Sequence, residues 1–149
     1  AMDVENWKLD ELRRRARRNG VSNVETRLIE AKTIKRLRET ADRVLLDVPC
    51  SGLGVLRRNP DSKWKIMPEF LEQIRQTQYD ILSHYSQMVK PGGKLVYATC
   101  SILPSESENQ VQRFLKEQGQ QWTLETETRT SPARDGFDGF YMASLVKSC

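Results

Sequence analysis

Histidine is almost missing from this chain: His84 stands alone among 149 residues. A Cys-His or Ser-His catalytic arrangement would have to pass through that one side chain. Cysteine is scarce too, with Cys50, Cys100 and Cys149 only. An odd count at wide spacing is not a disulfide framework. With no Cys-x-x-Cys and no His-rich pair, neither a zinc site nor a common redox motif is indicated. No apolar run approaches the ~20 residues of a membrane span, and no secretory signal opens the sequence. Free thiols and the lack of a signal predict a reducing, cytoplasmic compartment. There is no internal repeat.

What is present fits a globular domain. The chain is long enough for one domain with a real core. Its charged content is 30% and its hydrophobic content 38%. A net charge of +4 permits an acidic partner such as nucleic acid. That is weak evidence by itself, because many globular domains are mildly basic. The opening Ala1-Met2-Asp3-Val4 reads as the tail of a strand.

Apolar spacing and turn signals alternate in a strand-helix rhythm. Residues 6–19 read as a helix: Asn6 can cap it, Leu9, Leu12 and Ala16 share a face, and Gly20 can end it. Residues 24–29 suit a strand, and 32–40 a short helix or turn. Arg43-Val44-Leu45-Leu46-Asp47 is a short apolar run of the kind buried on both faces. Residues 48–67 form a long loop rich in Gly, Pro, Arg and Lys, and loops of that length are usually functional or disordered. Residues 68–89 are the clearest helix, with Pro68 in the first turn and Pro91-Gly92-Gly93 after the end. A strand follows over 94–98. Ser105 and Glu108 make a capping box for a helix through Gln118. Strands over 122–127 and 140–146 complete the pattern, with a polar loop between them. The rhythm predicts an α/β domain with a mainly parallel sheet, whose ligands would bind beyond the carboxyl ends of the strands.

Two of the cysteines sit just past such ends. Cys50 follows one strand in Asp47-Val48-Pro49-Cys50-Ser51-Gly52, and Cys100 follows the next in Tyr97-Ala98-Thr99-Cys100-Ser101. The helix at 68–89 would be the crossover. Consecutive parallel strands joined this way are often neighbours ~4.8 Å apart, so both thiols and Asp47 would face one crevice. The bland alternative is that each cysteine is a small buried hydrophobe. The chemistry that needs two thiols and an acid is methylation at carbon 5 of a pyrimidine. A thiolate adding to carbon 6 makes carbon 5 nucleophilic, an acid near ring nitrogen 3 stabilises the adduct, and the carbon-5 proton must then leave. The base must also leave its stack to reach such a pocket.

At these residues the sequence resembles a known family. Asp47-Val48-Pro49-Cys50-Ser51-Gly52-Leu53-Gly54 looks like the fourth motif of the Sun-type RNA cytosine-5 methyltransferases, and Thr99-Cys100-Ser101 like the sixth. The stretch from Val55 to Trp64 and Asp138-Gly139-Phe140-Tyr141 resemble the bacterial ribosomal-RNA members. The likeness runs from about Asp3 to Lys147. Each short motif is weak, and the ordered set is strong. The resemblance implies a Rossmann-like S-adenosylmethionine-dependent methyltransferase fold acting on RNA, with ribosomal RNA as the expected partner. It implies that Cys100 is the nucleophile and Cys50 the thiol that assists release, roles that spacing alone could not assign. Asp47 would contact the cytosine and also count among the cofactor-binding residues. Asp3 resembles the acidic residue for the cofactor ribose. Where the family has an aspartate near the adenine, this chain offers Glu30.

The resemblance also implies an N-terminal truncation. The family's domain begins with a strand and a glycine-rich loop, and no Gly-x-Gly precedes Asp3. That first strand should be central in the sheet. Its lack predicts a gap, weak or no cofactor binding by this chain alone, and an uncovered edge that invites self-association.

Some residues keep two readings. Arg57, Arg58, Lys63 and Lys65 surround the expected crevice with Trp64 among them, as RNA contacts or as a salt-bridged loop. Arg13, Arg14, Arg15, Arg17 and Arg18 suit phosphates or a solvated helix face. Phe140 and Tyr141 are core residues or base-stacking ones. At the level of the whole chain, a non-catalytic RNA-binding or assembly module and a thiol-redox protein stand beside the enzyme.

Overall fold

Strand-forming and helix-forming segments follow one another along the chain. The computed structural model, which describes residues 1–149, gathers them into two compact units, Ala1–Leu37 and Arg38–Cys149.

In the first unit β1 (Met2–Asp3) pairs in parallel with β2 (Arg27–Leu28), and α1 (Asn6–Arg18) lies between them in sequence. Leu9 is buried, with Leu12 and Ala16 half-buried on the same helix. The cap differs from expectation. Asn6 is the first helical residue and Glu5 holds the cap position, with no side-chain cap bond. The Asn6 amide instead donates to Asp10, one turn on, at 3.3 Å. The strand expected over 24–29 shortens to two residues, which pair with Met2 and Asp3. A short α2 (Thr33–Arg36) closes the unit.

The second unit holds the main sheet. Its strands are β3 (Ala41–Asp47), β4 (Val89–Thr99), β5 (Trp122–Thr130) and β6 (Phe140–Lys147), in the spatial order β3-β4-β6-β5. β3 and β4 are parallel neighbours, joined through α3 (Ser62–Lys65) and α4 (Pro68–Tyr85). β6 runs antiparallel to both β4 and β5, so the sheet is mixed where a mainly parallel one was expected. The reason is connectivity: β5 and β6 are joined by a short link containing only α6 (Pro132–Asp135), too short for a parallel crossover.

One face of this sheet makes the core. Leu95 and Tyr97 of β4 and Tyr141, Ala143 and Leu145 of β6 alternate inward. They meet Tyr79 and Leu82 of α4 and Val111 and Phe114 of α5 (Glu108–Gln118) in one cluster. Phe114 packs obliquely on Trp122, with ring centroids 5.7 Å apart. The other face lacks such cover. β3 was expected to be buried on both faces, yet Leu46 is 6% exposed and its neighbour Leu45 68%. β3 is also an edge strand, paired on one side only.

Two local expectations fail for a local reason. Ser105 lies inside a 3-10 turn, Pro104–Glu106, so α5 starts at Glu108 after an Ser107 cap with no side-chain cap bond. Ser107 Oγ instead meets Thr99 Oγ1 at 3.1 Å, and Glu108 pairs with Arg129. Pro91-Gly92-Gly93 does not follow α4 as a loop. A 3-10 turn, Ser86–Met88, ends the helix and β4 runs through the three residues, with an irregularity in its pairing to β3. A side chain on Gly93 would lie 2.7 Å from Val89 and 3.0 Å from the Asp42 carbonyl, which explains the glycine. No helix is long and apolar enough to cross a membrane.

Candidate active site

The register of β3 on β4 brings the two cysteine loops together. Asp47 stands opposite Ala98, and the Val48 N–H donates to the Ala98 carbonyl at 3.2 Å, extending the ladder by one residue. Beyond that point the chains part. Cys50 is three residues past the end of β3 and Cys100 one residue past the end of β4. Their sulfurs lie 3.2 Å apart, in hydrogen-bond contact and unbonded covalently. Both thiols are half-buried.

The contact polarises the pair. The hydrogen bond from Cys50 brings the Cys100 thiol down to about 7, against its desolvation and the nearby negative charge of Asp47, which push it up. The Cys50 thiol is held well above the usual range, first by its hydrogen bond with Cys100 and then by burial. Such a contact favours a thiolate on one sulfur beside a protonated thiol on the other, and either sulfur can be the donor.

Backbone contacts lock the Cys50 loop under the Cys100 loop. The Gly54 N–H donates to the Cys100 carbonyl at 2.9 Å, and the Gly139 N–H donates to the Gly54 carbonyl at 2.8 Å. A side chain at Gly54 would lie 2.0 Å from the Gly139 oxygen and 2.7 Å from the Cys100 oxygen, so only glycine lets the three segments meet. Asp138-Gly139, read from sequence only as a family likeness, is in this way a physical part of the site. A Gly in each of two motifs was the available signal. Arg129 was not anticipated: it makes a two-pronged pair with Glu108 at 2.5 and 2.8 Å and reaches the Ser101 carbonyl at 3.5 Å.

The remaining candidates divide. Asp47 ends β3, exposed to solvent. Arg58 pairs with Asp138 at 2.6 Å and Arg57 reaches the Gly136 carbonyl at 3.4 Å, so both arginines also anchor the loop. Trp64 is 78% exposed, with the Lys63 ammonium 5.0 Å from its ring centre. Tyr141 is buried, its hydroxyl donating to Glu127 at 2.8 Å, which settles it as core; Phe140 is half-buried. Arg13, Arg14 and Arg15 pair with Asp10 and Glu11 on α1, as a solvated helix face does. Asp3 and Glu30 belong to the first unit. One Asp3 oxygen accepts the Glu5 N–H at 2.8 Å and faces Lys8 at 3.5 Å; Glu30 follows β2, its N–H bonded to Thr33. No group of three or more His, Cys, Asp or Glu is placed to hold a metal.

The thiols stand beyond the ends of two parallel strands in a mixed α/β sheet, and solved structures share this fold. A methyltransferase homolog from Pyrococcus horikoshii superposes with a TM-score of 0.78 at 25% identity, over 99% of this chain and 52% of that one. NSun6 from the same organism, in a structure with SFG, superposes at 0.87 with 26% identity, over 100% of this chain and 41% of that one. The fold is the Rossmann-like one of S-adenosylmethionine-dependent methyltransferases. Residues 1–146 match the family model described as 16S rRNA methyltransferase RsmB/F, and the chain belongs to that family. Ribosomal RNA small subunit methyltransferase B of Erwinia tasmaniensis is 44% identical over 112 residues, 71% of this chain and 26% of that protein. Its counterpart in Shewanella oneidensis is 40% identical over 119 residues, 74% of this chain and 28% of that protein. The chain thus spans about a quarter of the length of these relatives.

Proposed function

We propose that this chain is the thiol-bearing part of a catalytic domain that methylates carbon 5 of cytosine in RNA, with ribosomal RNA as the substrate its relatives' names suggest. The 3.2 Å contact between Cys50 and Cys100 carries the reading. Cys100, acidified by its neighbour, adds as a thiolate to carbon 6, and carbon 5 becomes the nucleophile. Asp47 contacts the ring. After methylation a base, water where no side chain reaches, takes the carbon-5 proton, the carbon 5–carbon 6 double bond re-forms, and the Cys100 sulfur leaves as a thiolate that the Cys50 S–H stabilises by a hydrogen bond. Arg57, Arg58, Lys63 and Trp64 offer charge and a stacking surface to the RNA.

S-adenosylmethionine, when bound, supplies an electrophilic methyl group. Asp3 and Glu30 fit its hydroxyl and adenine ends as hydrogen-bond acceptors, since a free carboxylate oxygen at a strand end suits a ribose diol. These two carboxylates provide no backbone cradle for the rest of the nucleoside, and binding by this chain alone should be weak. Calorimetric titration that finds micromolar affinity overturns that expectation.

The catalytic roles are tested in a full-length enzyme carrying this segment, with cofactor and RNA containing 5-fluorocytosine. A covalent complex should form and Cys100→Ala should abolish it; on ordinary cytosine RNA, where release is open, Cys50→Ala should let the adduct accumulate. A complex that survives Cys100→Ala and is lost with Cys50→Ala reverses the roles. Three free cysteines suit a reducing cytoplasm. The open edge of β3 with its exposed Leu45 favours association with a second copy, which sedimentation would detect as a concentration-dependent mass.

A further inference from the structure

A carboxylate with no solvent contact lies under both thiol loops. Glu106 closes the 3-10 turn after β4 and is 0% exposed. Its two oxygens accept three hydrogen bonds. The Ser51 N–H donates to Oε2 at 2.8 Å, the Gln78 amide donates to the same oxygen at 2.9 Å, and the Ser101 hydroxyl donates to Oε1 at 2.8 Å. Ser51 directly follows Cys50 and Ser101 directly follows Cys100. Their hydroxyls meet at 3.2 Å, beside the sulfurs. The same Gln78 nitrogen also donates to the carbonyl of Pro49, the residue before Cys50. Gln78 comes from α4, the helix that connects the two strands. The main chain of Glu106 is held as well, its carbonyl accepting the Tyr97 hydroxyl at 2.8 Å.

A buried carboxylate is costly unless every oxygen is satisfied, and its loss leaves its donors unpaired. Here its side-chain partners are neutral donors from three segments, so simple charge pairing does not explain it. Two oxygens facing three donors do explain why the residue is Glu and not Gln. An amide would turn an NH2 group against a donor and keep a single acceptor. Asp would fall one methylene short.

We propose that Glu106 is the positioning residue of the site, the strut that sets the Cys50 and Cys100 loops at thiol-contact distance. It touches neither substrate nor sulfur and acts through Ser51 and Ser101. The inference rests on the reading of the two thiols as a working pair.

Proximity can be measured without catalysis. The chain carrying Cys149→Ser is equilibrated with reduced and oxidised glutathione. The two protein thiols form one disulfide, and their two electrons and two protons convert one oxidised glutathione to two reduced ones. The equilibrium gives the effective concentration of one thiol at the other, read by mass and by protection from alkylation. Glu106→Ala should lower it roughly tenfold or more, the equivalent of about one hydrogen bond to a charged group. Glu106→Gln should restore part of the loss. Circular dichroism and the thermal midpoint show whether each variant is folded. An effective concentration for folded Glu106→Ala within about twofold of the parent overturns the proposal, since one such bond is worth about tenfold. Should Glu106→Ala fail to fold, Glu106→Gln and Ser101→Ala decide it in the same way: loss supports the strut, and unchanged proximity in both sinks it. The adduct test on Cys100 is separate. Lost proximity in a protein whose Cys100 forms no RNA adduct keeps the strut and removes the catalytic reading; an adduct with unchanged proximity does the reverse.

Discussion

The two units of this chain treat their apolar side chains in opposite ways. Every member of the core cluster belongs to Arg38–Cys149. In Ala1–Leu37, Leu9 is the buried hydrophobic residue, while Val4, Trp7, Val21, Val24 and Leu28 are exposed. The second unit carries its own core. The thiol pair, which depends on a 3.2 Å contact, stands on that unit. The carboxylates assigned to the cofactor, Asp3 and Glu30, stand on the other, where two-residue strands supply little rigidity. Chemistry that needs fixed geometry is placed where packing density can fix it.

The contrast can be broken most directly by truncating one aromatic in each unit. Phe114→Ala should cost about 3–5 kcal/mol, because it leaves a cavity among fully buried neighbours. Trp7→Ala, at a 64% exposed position, should stay within about 0.5 kcal/mol. Denaturant titration measures both, and equal costs would erase the distinction between the units.

A smaller effect is expected where the backbone is closest. Gly54→Ala forces atoms into the Gly139 and Cys100 carbonyls and should cost about 1–3 kcal/mol as overpacking does. It should also lower the Cys50–Cys100 effective concentration. A variant as stable and as quick to form the disulfide as the parent would show that the three segments have room to part.

Next comes the acidity of the pair. Alkylation of Cys100 should rise with pH around a midpoint of about 7, since only the thiolate reacts. Cys50→Ala removes the hydrogen bond that favours the thiolate, so the midpoint should move up toward ~8.5, the ordinary thiol value. At pH 7 the variant should then react more slowly. A midpoint that stays put or falls means that Cys50 is not the donor.

The smallest change belongs to the surface. Arg58→Ala removes an exposed pair with Asp138 and should cost at most about 1 kcal/mol. If Arg58 also meets a phosphate, the salt dependence of RNA binding by the full-length protein should weaken by about one charge. An unchanged slope leaves Arg58 as a loop anchor.

Much of the architecture was legible because it is local. Helical spacing located α1 and α4 to within a few residues, and short apolar runs located β3 and β4. The ordered motifs around Asp47, Cys50 and Cys100 pointed to the family before any distance was known. Caps were legible only in part. Asn6 and Ser105 had suitable side chains, but Glu5 holds the first cap position and a proline-led 3-10 turn takes in Ser105. The mixed sheet was hidden because strand direction depends on connection length and not on strand sequence.

By itself the sequence determined which residues carry reactive groups and which segments alternate as strand and helix, since both follow from side-chain chemistry and short-range periodicity. Tertiary structure decided that residues 50 apart meet at 3.2 Å, that Gly54 is wedged between two other segments, and that Glu106 is a buried strut and not one more acidic residue near a helix start. Those facts depend on the register of two parallel strands and on hydrogen bonds between distant segments, and no local pattern encodes either one.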